Sequence, residues 1–184
     1  MISNTSSYRQ RGALIIHSPV ILPKVDAGEE SSFDGVTFST LKGLFQQGSW
    51  NSEIVDELKP ENNDIVLSGR NDFSGFAGTE LEVILHTRRI ERLFVAGFMT
   101  DLCVLKTVVE AKKDLKLDID VVVLMDGCVT LSAKDQFDTI NNLLPDHCLT
   151  VTCTDGVEML ASNTRVSDAV SLSSVVFLKH FLIV

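Results

Sequence analysis

The segment that most constrains the fold is residues 92–113, in which an apolar run ends at Gly97 and a helical pattern follows. The apolar residues of this helix recur at spacings of three and four: Leu102, Leu105, Val108 and Val109. Thr100 or Asp101 is expected to cap its N-terminus. The segment therefore predicts a strand, a tight turn and a helix with Cys103 in its first turn.

Apolar strands and helices alternate along the rest of the chain. The predicted strands are residues 13–17, 65–67, 93–97, 119–125 and 148–152, and further helices are predicted over residues 53–58, 79–88, 134–144 and 156–161. Such alternation predicts an α/β fold, a Rossmann-like three-layer α/β/α arrangement with a mostly parallel sheet. The 184 residues fit one domain. We expect the domain over residues 1–162 and a divergent C-terminal tail over residues 163–184.

Cys103 is a candidate nucleophile because of its place at the start of a helix. Backbone N–H groups at a helix start are unpaired and the helix dipole is positive there, so both favour a thiolate. The same N–H groups could hold the oxyanion of an acyl-transfer intermediate. A buried structural cysteine is the alternative, and the residue alone leaves both interpretations open.

The run from Gly97 to Val104, GFMTDLCV, resembles the nucleophile motif of the isochorismatase-like cysteine hydrolases. That family includes nicotinamidases, N-carbamoylsarcosine amidases and isochorismatases. The resemblance covers roughly residues 10–161 and is most specific over residues 64–126. It implies an isochorismatase-like hydrolase fold, a homo-oligomer, and hydrolysis of a C–N bond in a small-molecule amide substrate.

The resemblance also implies roles for individual residues. Cys103 matches the nucleophile, which forms a thioester with the substrate. Phe98–Met99 matches a cis peptide position, so the N–H groups of Met99 and Cys103 would form an oxyanion hole. The family's Lys falls on Arg70, which keeps the positive charge but cannot give up its proton. Trp50, Phe73 and Phe76 are candidates for the substrate pocket.

One family residue has no match in this sequence. The family's acid/base is an Asp at the end of a first strand, which lies in the middle of the sheet. Residues 8–19 already resemble the family's second strand and the helix before it, so we expect an N-terminally truncated chain lacking that first strand. Two functions therefore remain open: a cysteine hydrolase, or a catalytically silent member that serves as a binding or oligomer subunit.

Composition and spacing argue against several other classes of protein. The formal net charge of −9 argues against a nucleic-acid binder. No apolar run reaches the roughly 20 residues of a membrane span, and the first twelve residues do not resemble a signal peptide, so we expect a cytoplasmic protein. The cysteines form no CxxC pair and the histidines are far apart, which predicts no metal and no cofactor.

Overall fold

The computed structural model describes residues 2–21, 32–33, 36–37, 45–61, 63–68, 70, 72–161 and 175–181. Residues 2–4, 32–33, 36–37, 51 and 175–181 are described by their backbone only. The sequence has weak periodicity over residues 20–52, which predicts a long loop, and much of that segment lies outside the described residues.

The described chain alternates between strands and helices, as the sequence predicts. Its strands are β1 Leu14–Pro19, β2 Ser32–Phe33, β3 Val36–Thr37, β4 Ile65–Val66, β5 Arg92–Phe98, β6 Asp120–Val129, β7 Leu149–Val151 and β8 Val175–Phe181. Its α-helices are α1 Ile2–Gln10, α2 Leu81–Thr87, α3 Leu105–Val109, α4 Ala133–Asp138 and α5 Cys153–Ala161. Helix α3 lies between two π-helical turns, Thr100–Val104 and Glu110–Asp114, and a third, Thr139–Leu143, continues α4.

The main sheet has six strands in the order β4-β1-β8-β5-β6-β7, and its neighbouring strands are parallel. Five of them are the strands that the sequence predicts. The sixth, β8, lies between β1 and β5, at the centre of the sheet. The sequence predicts a divergent tail over residues 163–184, yet residues 176–180 pair with both neighbouring strands.

Helices cover both faces of this sheet. Tyr8 of α1 packs edge-to-face on Phe94 of β5, with ring centroids 5.2 Å apart. Gly156 of α5 lies so close to Tyr8 and Phe94 that a Cβ there would collide with the Tyr8 hydroxyl, so α1 and α5 share this face. Parallel strands are joined by right-handed crossovers. From β4 through α2 to β5, and from β5 through α3 to β6, the chain moves across the sheet in one direction, whereas from β7 through α5 to β8 it moves in the other. The helices α2 and α3 therefore lie on the face opposite to α5.

The core lies on both sides of β5 and β6, which read as continuous apolar runs because both their faces are covered. Leu93, Phe94, Val95 and Ala96 are fully buried. Leu81 and Leu85 of α2 are buried as the helical pattern predicts. None of the helices that the structure describes is long and apolar enough to cross a membrane.

Three details of the sequence-based prediction are wrong. Neither Thr100 nor Asp101 caps its helix, because the two side chains pair instead with Gln136 and Thr130 across the next connection. The helix predicted over residues 53–58 is reduced to separate 3₁₀ turns at Trp50–Ser52 and Asp56–Leu58. The helical pattern over residues 134–144 predicts that Phe137 faces inward, but Phe137 is 62% exposed, since α4 lies at the margin of the core.

Candidate active site

Cys103 lies in the π-helical turn Thr100–Val104, directly after the central strand β5. It is 1% exposed. The turn closes on the carbonyl of Met99, which accepts hydrogen bonds from Leu102 N at 3.3 Å and Val104 N at 3.1 Å. The peptide bond between Phe98 and Met99 is cis. The oxyanion hole that the resemblance assigns to the N–H groups of Met99 and Cys103 stays a prediction.

Arg70 is brought to Cys103 although 33 positions separate them in the chain. Arg70 is 6% exposed, and its charge lies near enough to the Cys103 side chain to interact with it electrostatically. Its other hydrogen bonds go to backbone carbonyls: those of Asp72 at 2.8 Å, Ser74 at 3.1 Å, Ser18 at 2.9 Å, and Phe73. Four carbonyls hold the planar guanidinium in one orientation, and two of its five N–H donors are not used by them.

The charge of Arg70 is the main electrostatic feature of the site. Burial lowers the pKa of the guanidinium from its usual value, while the nearby Cys103 and the Asp72 carboxylate oppose that shift. Arginine starts from a pKa above 12, so the side chain remains a cation. A fixed positive charge beside a thiol favours the thiolate.

Two contacts that sequence reasoning missed tie the Arg70 loop to the Cys103 helix. Lys106 Nζ contacts the Asp72 carboxylate at 2.8 Å. The buried Thr107 hydroxyl donates to Cys103 O at 2.8 Å and accepts from Gly75 N at 2.8 Å. The sequence feature that could have identified this contact is the position of Thr107 four residues after Cys103. From there a helical threonine can donate a hydrogen bond to the carbonyl one turn earlier.

The three predicted pocket residues lie in different surroundings. Phe73 is half-buried, and its carbonyl accepts from Arg70. Phe76 is 5% exposed and belongs to the hydrophobic core. Trp50 is 77% exposed, on a 3₁₀ turn of its own. A pocket formed by all three stays a prediction.

The other cysteines lie in apolar surroundings. Burial raises the pKa of the Cys128 thiol to about 12, and that of Cys148 also to about 12. Cys153 is buried at the start of α5. In the part of the chain that the structure describes, no three His, Cys, Asp or Glu side chains are grouped as metal ligands would be.

His17, at the end of the predicted strand over residues 13–17, has a structural partner. It is fully buried in β1 and lies 3.0 Å from Asp64. Asp64 also accepts from Arg9 of α1 at 2.6 Å and from the backbone N–H of Glu61 at 3.0 Å. Burial disfavours the ionised Asp64 carboxyl, but the hydrogen bonds from Arg9 and His17 outweigh it and hold the Asp64 pKa below its usual value.

Comparison with known proteins agrees with this fold. Residues 5–156 match the family described as the isochorismatase domain. An isochorismatase family protein from Desulfovibrio vulgaris is 27% identical, with a TM-score of 0.73 over 87% of this chain and 82% of that one. Nicotinamidase from Bacillus subtilis is 20% identical, with a TM-score of 0.64 over 82% of this chain and 81% of that one.

N-carbamoylsarcosine amidase from Thermoplasma acidophilum is 22% identical, with a TM-score of 0.60 over 83% of this chain and 79% of that one. The fold defines the chain as a three-layer α/β protein with a parallel central sheet. The match to the family covers most of its length. The chain belongs to the isochorismatase family of hydrolases.

Proposed function

We propose that the chain is a cysteine hydrolase that cleaves a C–N bond of a small amide through a thioester on Cys103. The observation that carries this proposal is the pairing of the buried Cys103 with the buried cation of Arg70. A thiol used only for packing gains nothing from a neighbouring charge, and burying that charge costs free energy. A nucleophilic thiol needs the charge to hold its thiolate.

The chemistry follows from this geometry. The Cys103 thiolate attacks the amide carbonyl carbon, and the N–H groups of Met99 and Cys103 hold the oxyanion that forms. The amine then leaves, and water hydrolyses the thioester. Arg70 stabilises the thiolate before the attack and after the release of the acid. Trp50, Phe73 and Phe76 are the proposed walls of the pocket.

The class of substrate comes from the family and from the related enzymes. Two of the similar structures are a nicotinamidase and an N-carbamoylsarcosine amidase, which support a small carboxamide or carbamoyl compound as the substrate. We further propose a cytoplasmic homo-oligomer whose hydrolase domain also includes the C-terminal strand β8. Analytical ultracentrifugation of the purified chain tests the assembly, and we expect a mass greater than that of one chain. The alternative, a catalytically silent binding or oligomer subunit, is not favoured by any contact among the described residues.

The test is an ammonia-release assay on the purified chain with nicotinamide and a panel of small carboxamides. We expect turnover that falls at least about 10³-fold in Cys103→Ala, because no other described thiol lies beside a cation. Cys148→Ala is the matched control and is expected to retain activity. Activity that survives Cys103→Ala would contradict the proposal, and so would wild-type inactivity across the panel combined with no trapped thioester in mass spectra.

A further inference from the structure

The proposed reaction needs a group that takes the proton from Cys103 and later delivers it to the leaving amine. Arg70 cannot do this, because it does not lose its proton. Two carboxylates lie on the same segments as Arg70 and Cys103. Among the described contacts, Asp72 is held by Lys106 and by Ser74 N, and Asp101 accepts from the Thr130 hydroxyl.

Strand β8 brings a new residue to this end of the sheet. Its pairing with β5 runs without interruption from Arg92–Val175 to Gly97–His180, and its pairing with β1 places Ser18 opposite His180. His180 thus occupies the register position between Ser18 and Gly97. Parallel neighbours lie about 4.8 Å apart. Gly97 is six residues before Cys103, at the carboxyl end of β5.

The face of the sheet is also determined by the register. Phe94 and Ala96 share the face covered by α1 and α5, since Phe94 contacts Tyr8. His17 of β1 lies on the same face, since its partner Asp64 binds Arg9 of α1. Successive residues of a strand alternate between faces, so Ser18 belongs to the opposite face, with α2 and α3. Register partners share a face. The position of His180 is therefore on the face of the Cys103 helix, whereas that of Lys179, opposite Ala96, is on the other face.

A buried polar group in the same row supports a ligand or proton-transfer role for this position. Ser18 is 0% exposed, and its hydroxyl has no hydrogen-bond partner among the described residues. Its carbonyl accepts from Arg70. Ser18 is thus the register neighbour of His180, Arg70 binds the Ser18 carbonyl, and Cys103 is the electrostatic neighbour of Arg70.

We propose that His180 is the acid/base of the proposed hydrolase, supplied by the C-terminal strand; this inference rests on the proposed function of Cys103. The imidazole takes the S–H proton, which leaves a thiolate stabilised by Arg70. The sulfur then forms a bond to the amide carbon, and the C=O electron pair moves to oxygen. When the oxyanion collapses, the C–N bond breaks and the leaving nitrogen takes the proton from the imidazolium. His180 then takes a proton from water, whose oxygen displaces the sulfur and releases the acid.

The first test compares the full-length His180→Gln and Lys179→Gln variants with wild type at pH 7.5. Iodoacetamide labelling of Cys103, followed by peptide mass spectrometry, is read beside amide hydrolysis. We expect labelling to slow at least 10-fold and hydrolysis at least 100-fold in His180→Gln, as loss of a general base predicts. Lys179→Gln is expected to change labelling less than 3-fold. A folded His180→Gln chain that labels at the wild-type rate overturns the proposal.

The second test does not depend on a His180 variant that folds. NMR titration follows the His180 imidazole in wild type and in Cys103→Ser, with the imidazole signals assigned by through-bond correlation to the backbone. We expect a different titration midpoint in the two proteins, because a thiol–imidazole pair titrates as a unit. The same midpoint in both overturns the proposal. A changed midpoint and slowed labelling in a chain that hydrolyses no amide would support His180 and reject the proposed substrate class instead.

Discussion

Arg70 shows how one buried cation can serve both structure and chemistry. Its contacts with four carbonyls fix a turn-rich loop, and its charge lies near Cys103. A lysine has three donors on a rotating ammonium and could not bridge the same carbonyls in one plane. The arginine in this position is thus consistent with a site in which the cation stays charged and another group moves protons.

Asp64 is the residue for which a pH dependence can be derived. Its side chain is 2% exposed and accepts from Arg9 and His17, so its pKa is lower in the folded chain than in the unfolded chain. The resulting stabilisation is complete above the ordinary carboxyl pKa of about 4 and is lost as pH falls through the lower, folded value. Urea unfolding from pH 7 to pH 3 should show this loss in wild type.

Asp64→Asn removes the charge, so it should lower the free energy of unfolding at pH 7 by about 3 kcal/mol and flatten the decline below pH 5. The exposed Asp118→Asn variant is the control and should keep the wild-type slope. Equal slopes in Asp64→Asn and wild type would show that Asp64 does not carry this dependence.

At the scale of elements, Thr107 links the Arg70 loop to the helix that carries Cys103. Thr107→Val has nearly the same shape but leaves the Gly75 N–H without its acceptor. We expect a loss of about 1–3 kcal/mol in the free energy of unfolding, measured in urea, and slower iodoacetamide labelling of Cys103. Thr107→Ser keeps the hydroxyl and should retain the labelling rate. If Thr107→Val and Thr107→Ser label equally fast, the hydroxyl does not connect the two elements.

The sequence predicted the elements whose signals are local. An apolar run followed by an amphipathic helix identified β5 and its helix, and the turn between them placed Cys103. The helix cap was missed because Thr100 and Asp101 pair with residues some 30 positions further on. Arg70 was reached through a family resemblance, since no local pattern indicates that its loop folds back onto Cys103.

At the scale of the whole molecule, the part that sequence reasoning missed is the centre of the sheet. Strand β8 was expected within a divergent tail because it follows a Ser/Thr-rich stretch over residues 162–174 and has no counterpart in the family resemblance. Its partners, β1 and β5, lie about 160 and 80 residues away along the chain. Such pairing depends on tertiary context rather than on local propensity. Without β8, the facing edges of β1 and β5 would be unpaired and many backbone groups would lack hydrogen-bond partners. Strand β8 supplies those hydrogen bonds.

This arrangement predicts that the chain depends on its C-terminal strand for stability. Leu178→Pro removes a backbone N–H from a strand paired on both sides, opposite Ile16 and Val95. We expect a loss of at least about 3 kcal/mol in the free energy of unfolding, a large part of the 5–15 kcal/mol typical of a domain. Ala133→Pro, at the first position of α4, is the control and should cost less than about 1 kcal/mol.

Labelling of the buried Cys128 should accelerate in Leu178→Pro alone, because separation of β1 from β5 opens the core. Equal stability of Leu178→Pro and wild type would place β8 outside the sheet in solution, and the sheet would then be held by β5, β6 and β7 with β1 and β4 as a separate pair.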